Sequence, residues 1–202
     1  MMVPDRRRAL SINPGSGEGP QFDRKGRMVP LPALRQTGVV PKPRRNVMDY
    51  RVVGLSPQLF QPLFELSDGE LAERGIVRKI VEEANAHPCR VSLEDARPGE
   101  EVLLLPYRHL ATSSPYQASG PIYVRREARH AYEATNALPV MQRRRLCSVR
   151  AYDEAGFMVE ADVVPGADLE GVVRRFLEKP EVAWVDVHNA KPGCFAFRVG
   201  RA

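Results

Sequence analysis

The segment from Val187 to Phe197 (VHNAKPGCFAF) packs the densest set of chemically capable side chains in this chain of 202 residues. A cysteine nucleophile needs a base within hydrogen-bond reach, so His188 and Cys194 are the first pair to weigh. Lys191-Pro192-Gly193-Cys194 suits a type II turn, with Pro second and Gly third, closed by Lys191 and Cys194. Opposed residues of an antiparallel pair share a face. Cys194, Asn189, Ala196 and Val187 then lie together, while His188 joins Phe195, Phe197, Asp186 and Trp184 on the other side. The dyad is split unless a bulge shifts the parity. His188 stays a candidate for proton transfer, its tautomer fixed by Asp186 on the same face, against the plainer reading of a satisfied core histidine.

Zinc could draw on His87, Cys89, His188 and Cys194, but neither spacing is that of a zinc knuckle, and neither a metal nor a cofactor is expected. Arg90, after His87-Pro88-Cys89, could clamp a carboxylate or phosphate through its planar fork; the alternative is a salt bridge to Glu94, Asp95 or another surface acid. The loop from Ala111 to Pro121 (ATSSPYQASGP) carries the hydroxyls of Thr112, Ser113, Ser114, Tyr116 and Ser119, and long loops in compact domains are often functional. An ordinary solvated hairpin loop is the competing reading. Asn189, before a turn, suits a backbone contact. His109 and His130 are expected at the surface, and Arg143-Arg144-Arg145 on a solvated face. No nucleotide-binding loop, zinc ribbon or nucleophile elbow is present.

The elements that must position these residues read as strand for most of the chain. Tyr50 to Leu55 opens as a strand, and Ser56-Pro57 starts a helix carrying Leu59, Phe60, Leu63 and Phe64. Ser67 and Glu70 form a capping box for a second short helix that Gly75 closes. Strands are expected at Ile76 to Val81, Arg90 to Leu93, Glu101 to Tyr107 and Pro121 to Arg125. Leu146 to Tyr152 pairs with Phe157 to Val163, placing Cys147, Val149, Ala151, Phe157, Val159, Ala161 and Val163 inward and Arg150, Glu160 and Asp162 in water. A helix from Asp168 to Glu178 aligns Leu169, Val172, Val173, Phe176 and Leu177 and stops at Pro180. Val182 to Asn189 and Cys194 to Val199 close the chain as a hairpin. The sum is an α+β domain, a mainly antiparallel sheet with a few covering helices, over residues 48–202.

Charge separates this body from what precedes it. Of 30 Lys and Arg and 25 Asp and Glu in the whole chain, residues 1–47 hold ten and three, a net +7, leaving 20 against 22, a net −2, for the rest. The body is therefore no nucleic-acid surface on charge grounds; only the leader could attract phosphates. Seven prolines and five glycines before Met48, with no helix or strand period, predict a disordered leader. Met28 and Met48 offer internal starts, and a native start near Met48 is expected. Arg6-Arg7-Arg8 lacks the apolar segment of an export signal, no run is long enough for a membrane span, and three cysteines make no disulfide framework. A soluble, cytoplasmic protein is expected.

PCRVSLEDARPGEEVLLLPY (Pro88 to Tyr107), SPYQASGPIYVR (Ser114 to Arg125), VRAYDEAGFMVEADVV (Val149 to Val164) and VHNAKPGCFAFRVGRA (Val187 to Ala202) resemble a bacterial family, domain of unknown function 1203, over roughly Tyr50 to Ala202. The resemblance implies the domain bounds and a bacterial, intracellular setting, and it brings no catalytic residues. It marks Cys89-Arg90, Ser114-Pro115-Tyr116, Ser119-Gly120-Pro121 and His188 through Cys194 as blocks that belong together. The functional expectation is a small polar or anionic ligand held where the 111–121 loop meets Arg90 and the 188–194 turn. Arg90 would take the anionic group, with Tyr116, Ser119, Asn189 and Cys194 as further contacts and His188 transferring a proton. The rival is a non-catalytic protein-interaction module using an exposed sheet edge or apolar patch.

Overall fold

Alternation decides the first strand: Tyr50 and Val52 are buried while Arg51 and Val53 face outward along β1 (Tyr50–Val53). The computed structural model describes residues 48–202, all within one compact unit. The disordered leader and the start near Met48 lie outside the described residues. After β1 the expected helix is instead two short 3-10 turns, Pro57–Leu59 and Gln61–Glu65. Pro62 is the physical reason, since its ring and missing N–H forbid a continuous helix through the segment. Phe60 and Phe64 still reach the core, but Leu59 is exposed. The capping box forms as expected at the head of α1 (Asp68–Glu73), where Ser67 Oγ accepts from Glu70 N and Glu70 Oε2 accepts from Ser67 N.

The remaining strands are β2 (Val77–Ile80), β3 (Glu101–Leu110), β4 (Ala118–Arg125), β5 (Glu133–Thr135), β6 (Leu146–Tyr152), β7 (Met158–Pro165), β8 (Trp184–Asn189) and β9 (Phe195–Arg201). They build a six-stranded sheet in the order β5-β1-β9-β8-β6-β7 and a three-stranded sheet β2-β3-β4, with every pairing antiparallel. This is the expected α+β class. Helix α2 (Leu169–Leu177) buries the foreseen stripe of Leu169, Val172, Val173, Phe176 and Leu177 in one core with Cys147, Val149, Val185 and Val187 of the larger sheet. Each such side chain contributes about 1.5–3 kcal/mol. A second core joins Phe60, Phe64 and Leu71 to Leu103, Leu105, Ile122 and Val124 of the smaller sheet.

Two segments depart from the expected pattern, and both bear on the site. In the β6–β7 hairpin a bulge between Ala151 and Tyr152 shifts the register, so Val149 faces Asp162 and Ala151 faces Glu160. Val163 and Phe157 are therefore exposed, while Asp162 and Glu160 turn toward α2 and pair with Arg175 and Lys179. On β7 the expected inward residues Ala161 and Val163 are exposed, while Cys147, Val149 and Ala151 of β6 are buried as expected and Val159 packs against the core. The second departure is Arg90 to Leu93, which is a buried loop and not a strand. Isolated bridges from Pro88 to Asp95 and from Cys89 to Tyr123 lead into it, and Leu93 takes a φ of 49°. This loop ties the sheets together: Arg90 N donates to Tyr123 O of β4, and Arg90 O accepts from Leu55 N just beyond β1. Gly54 makes the approach feasible, because a Cβ there would stand 2.0 Å from Val91 O.

Candidate functional site

Where the loop crosses between the sheets it carries the side chain of Arg90, which is 1% exposed. Its Nε donates to Phe195 O at 2.8 Å, Nη1 to Pro88 O, and Nη2 to Cys194 Sγ at 3.0 Å. Neither acid proposed as its partner is available. Glu94 pairs with Arg125, and Asp95 pairs with Arg144 and Arg145. Among the described residues no carboxylate pairs with Arg90. Burial pushes its guanidinium pKa down from the usual value and Arg145 adds repulsion, while Cys194 is the leading opposing influence. A buried cation held only by carbonyl dipoles and a sulfur is costly unless something negative completes it.

The β8–β9 turn supplies the next residues. Asn189 N donates to Cys194 O at 2.9 Å and Gly193 N to Asn189 O at 2.8 Å, so the closing pair is Asn189 and Cys194, not Lys191 and Cys194. Gly193 does take the left-handed conformation expected of it, φ 73°. Asn189 Nδ2 lies 3.4 Å from Cys194 Sγ, and Asn189 Oδ1 accepts from Gln142 Nε2 at 3.0 Å. Arg90, Asn189 and Cys194 are thus one cluster.

They open onto a cavity of about 750 Å³ whose lining includes Arg90, Asn189, Cys194, Lys191 and all of Arg143, Arg144 and Arg145. Five cationic side chains line it and no acidic one does. Leu104, Tyr123, Leu146, Pro165 and Pro192 supply apolar walls. Gly166, also in the lining, is required there because a Cβ would fall 1.9 Å from Gln142 O. The arginine run was expected on a solvated face; it lines this cavity because Leu146 O accepts from Ala190 N, which sets the start of β6 beside the turn. That long-range pairing left no local signal, and neither did Gln142.

His188 lies on the opposite face of β8. A bulge at Ala196 puts Phe195 opposite His188 and Phe197 opposite Val187, so Phe197 joins the α2 core rather than the histidine side. The bulge does not reunite His188 with Cys194. His188 Nε2 instead meets His109 Nε2 at 3.3 Å, and His109 stacks on Phe195 with centroids 4.9 Å apart. His109 is half-buried and partnered, where exposure had been expected; His130 is exposed. Burial first, then the charges of Arg150, His109 and Arg90, pushes His188 down to about 3. It is a neutral imidazole at ordinary pH. Asp186, two residues away, is held bidentately by Arg198 at 2.7 and 2.9 Å.

The 111–121 loop does not join Arg90. Strands β3 and β4 run further than expected, leaving Ala111–Gln117 as the loop. Ser114 Oγ donates to Gly156 O at 2.7 Å, and Tyr116 packs edge-on against Tyr152 and Phe157. Ser119 is exposed on β4. Of that segment only Pro121 lines the cavity, because the loop folds toward the β6–β7 turn at the other end of the sheet. Among the described residues, no three or more His, Cys, Asp or Glu side chains are grouped to hold a metal. Cys89 Sγ accepts from Val91 N and Arg125 N inside the smaller core.

Residues 86–201, which carry every member of this cluster, match the family described as "Protein of unknown function (DUF1203)". The chain belongs to that family. The family match takes in Arg90, the arginine run and the terminal hairpin, and leaves out β1 and α1. No curated protein and no solved structure matches the chain. Among the described residues no helix is long and apolar enough to cross a membrane.

Proposed function

We propose that the protein binds a small organic anion bearing more than one negative charge, seated in the cavity against Arg90, Asn189, Cys194, Lys191 and the Arg143–Arg145 run. One observation carries this reading: a guanidinium 1% exposed, without a carboxylate partner among the described residues, lines a cavity with four further cations and no acid. A carboxylate or phosphate would take the role that Glu94 and Asp95 leave unfilled. The volume suits a metabolite-sized ligand, and the apolar walls suit a carbon skeleton. Tyr116, Ser119 and His188 have no part in this site. A protein-interaction module, by contrast, gives no reason to bury an uncompensated charge. Residues 48–202 are proposed as the unit that carries the function.

The test is a titration of the full chain with inorganic phosphate, citrate and a nucleoside monophosphate, followed by amide and side-chain NMR shifts. Shifts confined to Arg90 Nε–H, Asn189, Lys191 and the 143–145 amides, weakened by added salt, are expected. Absence of shifts with all three anions at millimolar concentration sinks the proposal.

A further inference from the structure

The anion reading leaves one chemically reactive group in the cavity unused. Cys194 is half-buried and lines the cavity, whereas Cys89 and Cys147 are both 0% exposed. Cys89 is engaged by two backbone N–H groups. Burial pushes the Cys147 thiol up, and Gln142 covers its sulfur. Cys194 differs from both in being partly exposed and in facing the cavity. Arg90 Nη2 at 3.0 Å and Asn189 Nδ2 at 3.4 Å both point N–H donors at its sulfur. A partly exposed sulfur beside a guanidinium in a cation-lined cavity is the setting of a reactive cysteine. Arg90 also keeps N–H groups on both Nη atoms without a partner among the described residues, next to where a charged reagent would lie.

We infer that Cys194 is a thiolation site, which exchanges with small disulfides carrying carboxylates or phosphates that dock in the cation-lined cavity. The inference rests on the anion-binding reading and adds a covalent outcome to it. In the exchange the Cys194 sulfur bonds to one sulfur of the disulfide, the reagent's S–S bond breaks, and the thiol proton leaves with the departing half as its free thiol. The disulfide is the only oxidant required. Selectivity comes from charge: Lys191 and the 143–145 arginines concentrate anionic reagents and repel cationic ones. The product fills the cavity, so thiolation and binding of a free anion exclude each other.

The experiment measures second-order modification rates of the full chain at low salt with three disulfides: dithiobis(nitrobenzoate), which is anionic, dithiodipyridine, which is neutral, and cystamine, which is cationic. Each rate is divided by that of a short unstructured cysteine peptide with the same reagent, which removes intrinsic reactivity, and peptide mapping locates the adduct. The anionic reagent should lead the cationic one by about tenfold or more, falling toward parity at high salt. Adducts should map to Cys194 and vanish in Cys194→Ser. Replacing the exposed pair, Arg143→Ala with Lys191→Ala, should shrink the lead of the anionic reagent over the cationic one, and an undiminished lead would overturn the inference. Equal normalised rates for the three reagents, or adducts at Cys89 or Cys147 in their place, would overturn the inference. Phosphate-induced NMR shifts in Cys194→Ser separate the two readings. If they persist while selectivity is absent, thiolation alone is wrong; if they vanish from both wild type and Cys194→Ser, the binding site falls with it.

Discussion

His188 and Asn189 are neighbours in sequence, and their side chains end in opposite chemical settings. His188 is closed in against His109 and Phe195 and is held neutral. Asn189 faces a cavity lined by five cationic side chains, of which only Arg144 and Arg145 have an acid partner among the described residues, Asp95. Asp186 on the histidine face does bear a charge, but Arg198 neutralises it with two hydrogen bonds. Both faces hold buried polar groups, so burial of polarity does not by itself mark a site. What separates them is the pairing of the buried ion: Asp186 has Arg198, whereas Arg90 has two carbonyls and a sulfur but no carboxylate among the described residues.

The largest consequence concerns the closed face and pH. The folded pKa of His188, about 3, lies below its ordinary value of 6.5, so the unfolded chain takes up the proton first and stability falls as pH drops between those values. At 1% exposure the full span corresponds to a loss of about 5 kcal/mol. His109, also pushed down by burial, acts in the same direction. Asp186, pushed up by burial, acts in the opposite direction but is present in any variant of His188. Urea unfolding at pH 6.5 and about pH 4 should therefore show a steep loss for the wild type and a flatter one for His188→Phe, which keeps ring volume and removes the titration. Equal slopes would break the contrast between the faces, because the imidazole would then be open to water.

Arg90 gives the next effect, and it should belong to the other face alone. An anion at about 100 times its dissociation constant stabilises the native state by about 2.7 kcal/mol. Arg90→Met removes the guanidinium at similar length, and the anion-induced rise in unfolding midpoint should disappear while the pH slope survives. His188→Phe should do the reverse, keeping the anion response. If both variants lost both properties, the two faces would be one coupled site.

The contrast was only half legible in sequence. The α2 stripe, the Ser67–Glu70 box and the closing hairpin follow from periodicity and capping, which are local. The split of His188 from Cys194 also followed, since strand alternation needs no knowledge of the fold. What failed were the features set by one extra residue or by distant partners. Bulges at β6–β7 and at Ala196 exchanged faces for Val163, Phe157 and Phe197. Pro62 divided a helix whose apolar spacing looked sound. Arg90 stood out by residue type, but that its two candidate acids would be taken by Arg125, Arg144 and Arg145 depends on the packing of loops far apart in the chain. The 111–121 loop is rich in hydroxyls, and hydroxyls do not say which way a loop folds.

The smallest effect sharpens the contrast most, because it separates binding from folding. Arg143 and Lys191 are exposed and make no ion pair among the described residues, so neither holds the fold together. Alanine at either position should change stability by no more than about 0.5 kcal/mol. In the anion reading both contribute to the field over Arg90, and each loss should weaken phosphate or citrate binding about three- to tenfold, less as salt is raised. Calorimetric titration at two salt concentrations measures this directly. A drop in affinity with an unchanged unfolding midpoint assigns the two side chains to the cavity's electrostatics. An unchanged affinity would mean that Arg90 binds without them, and would confine the ligand to one anionic group at the floor of the cavity.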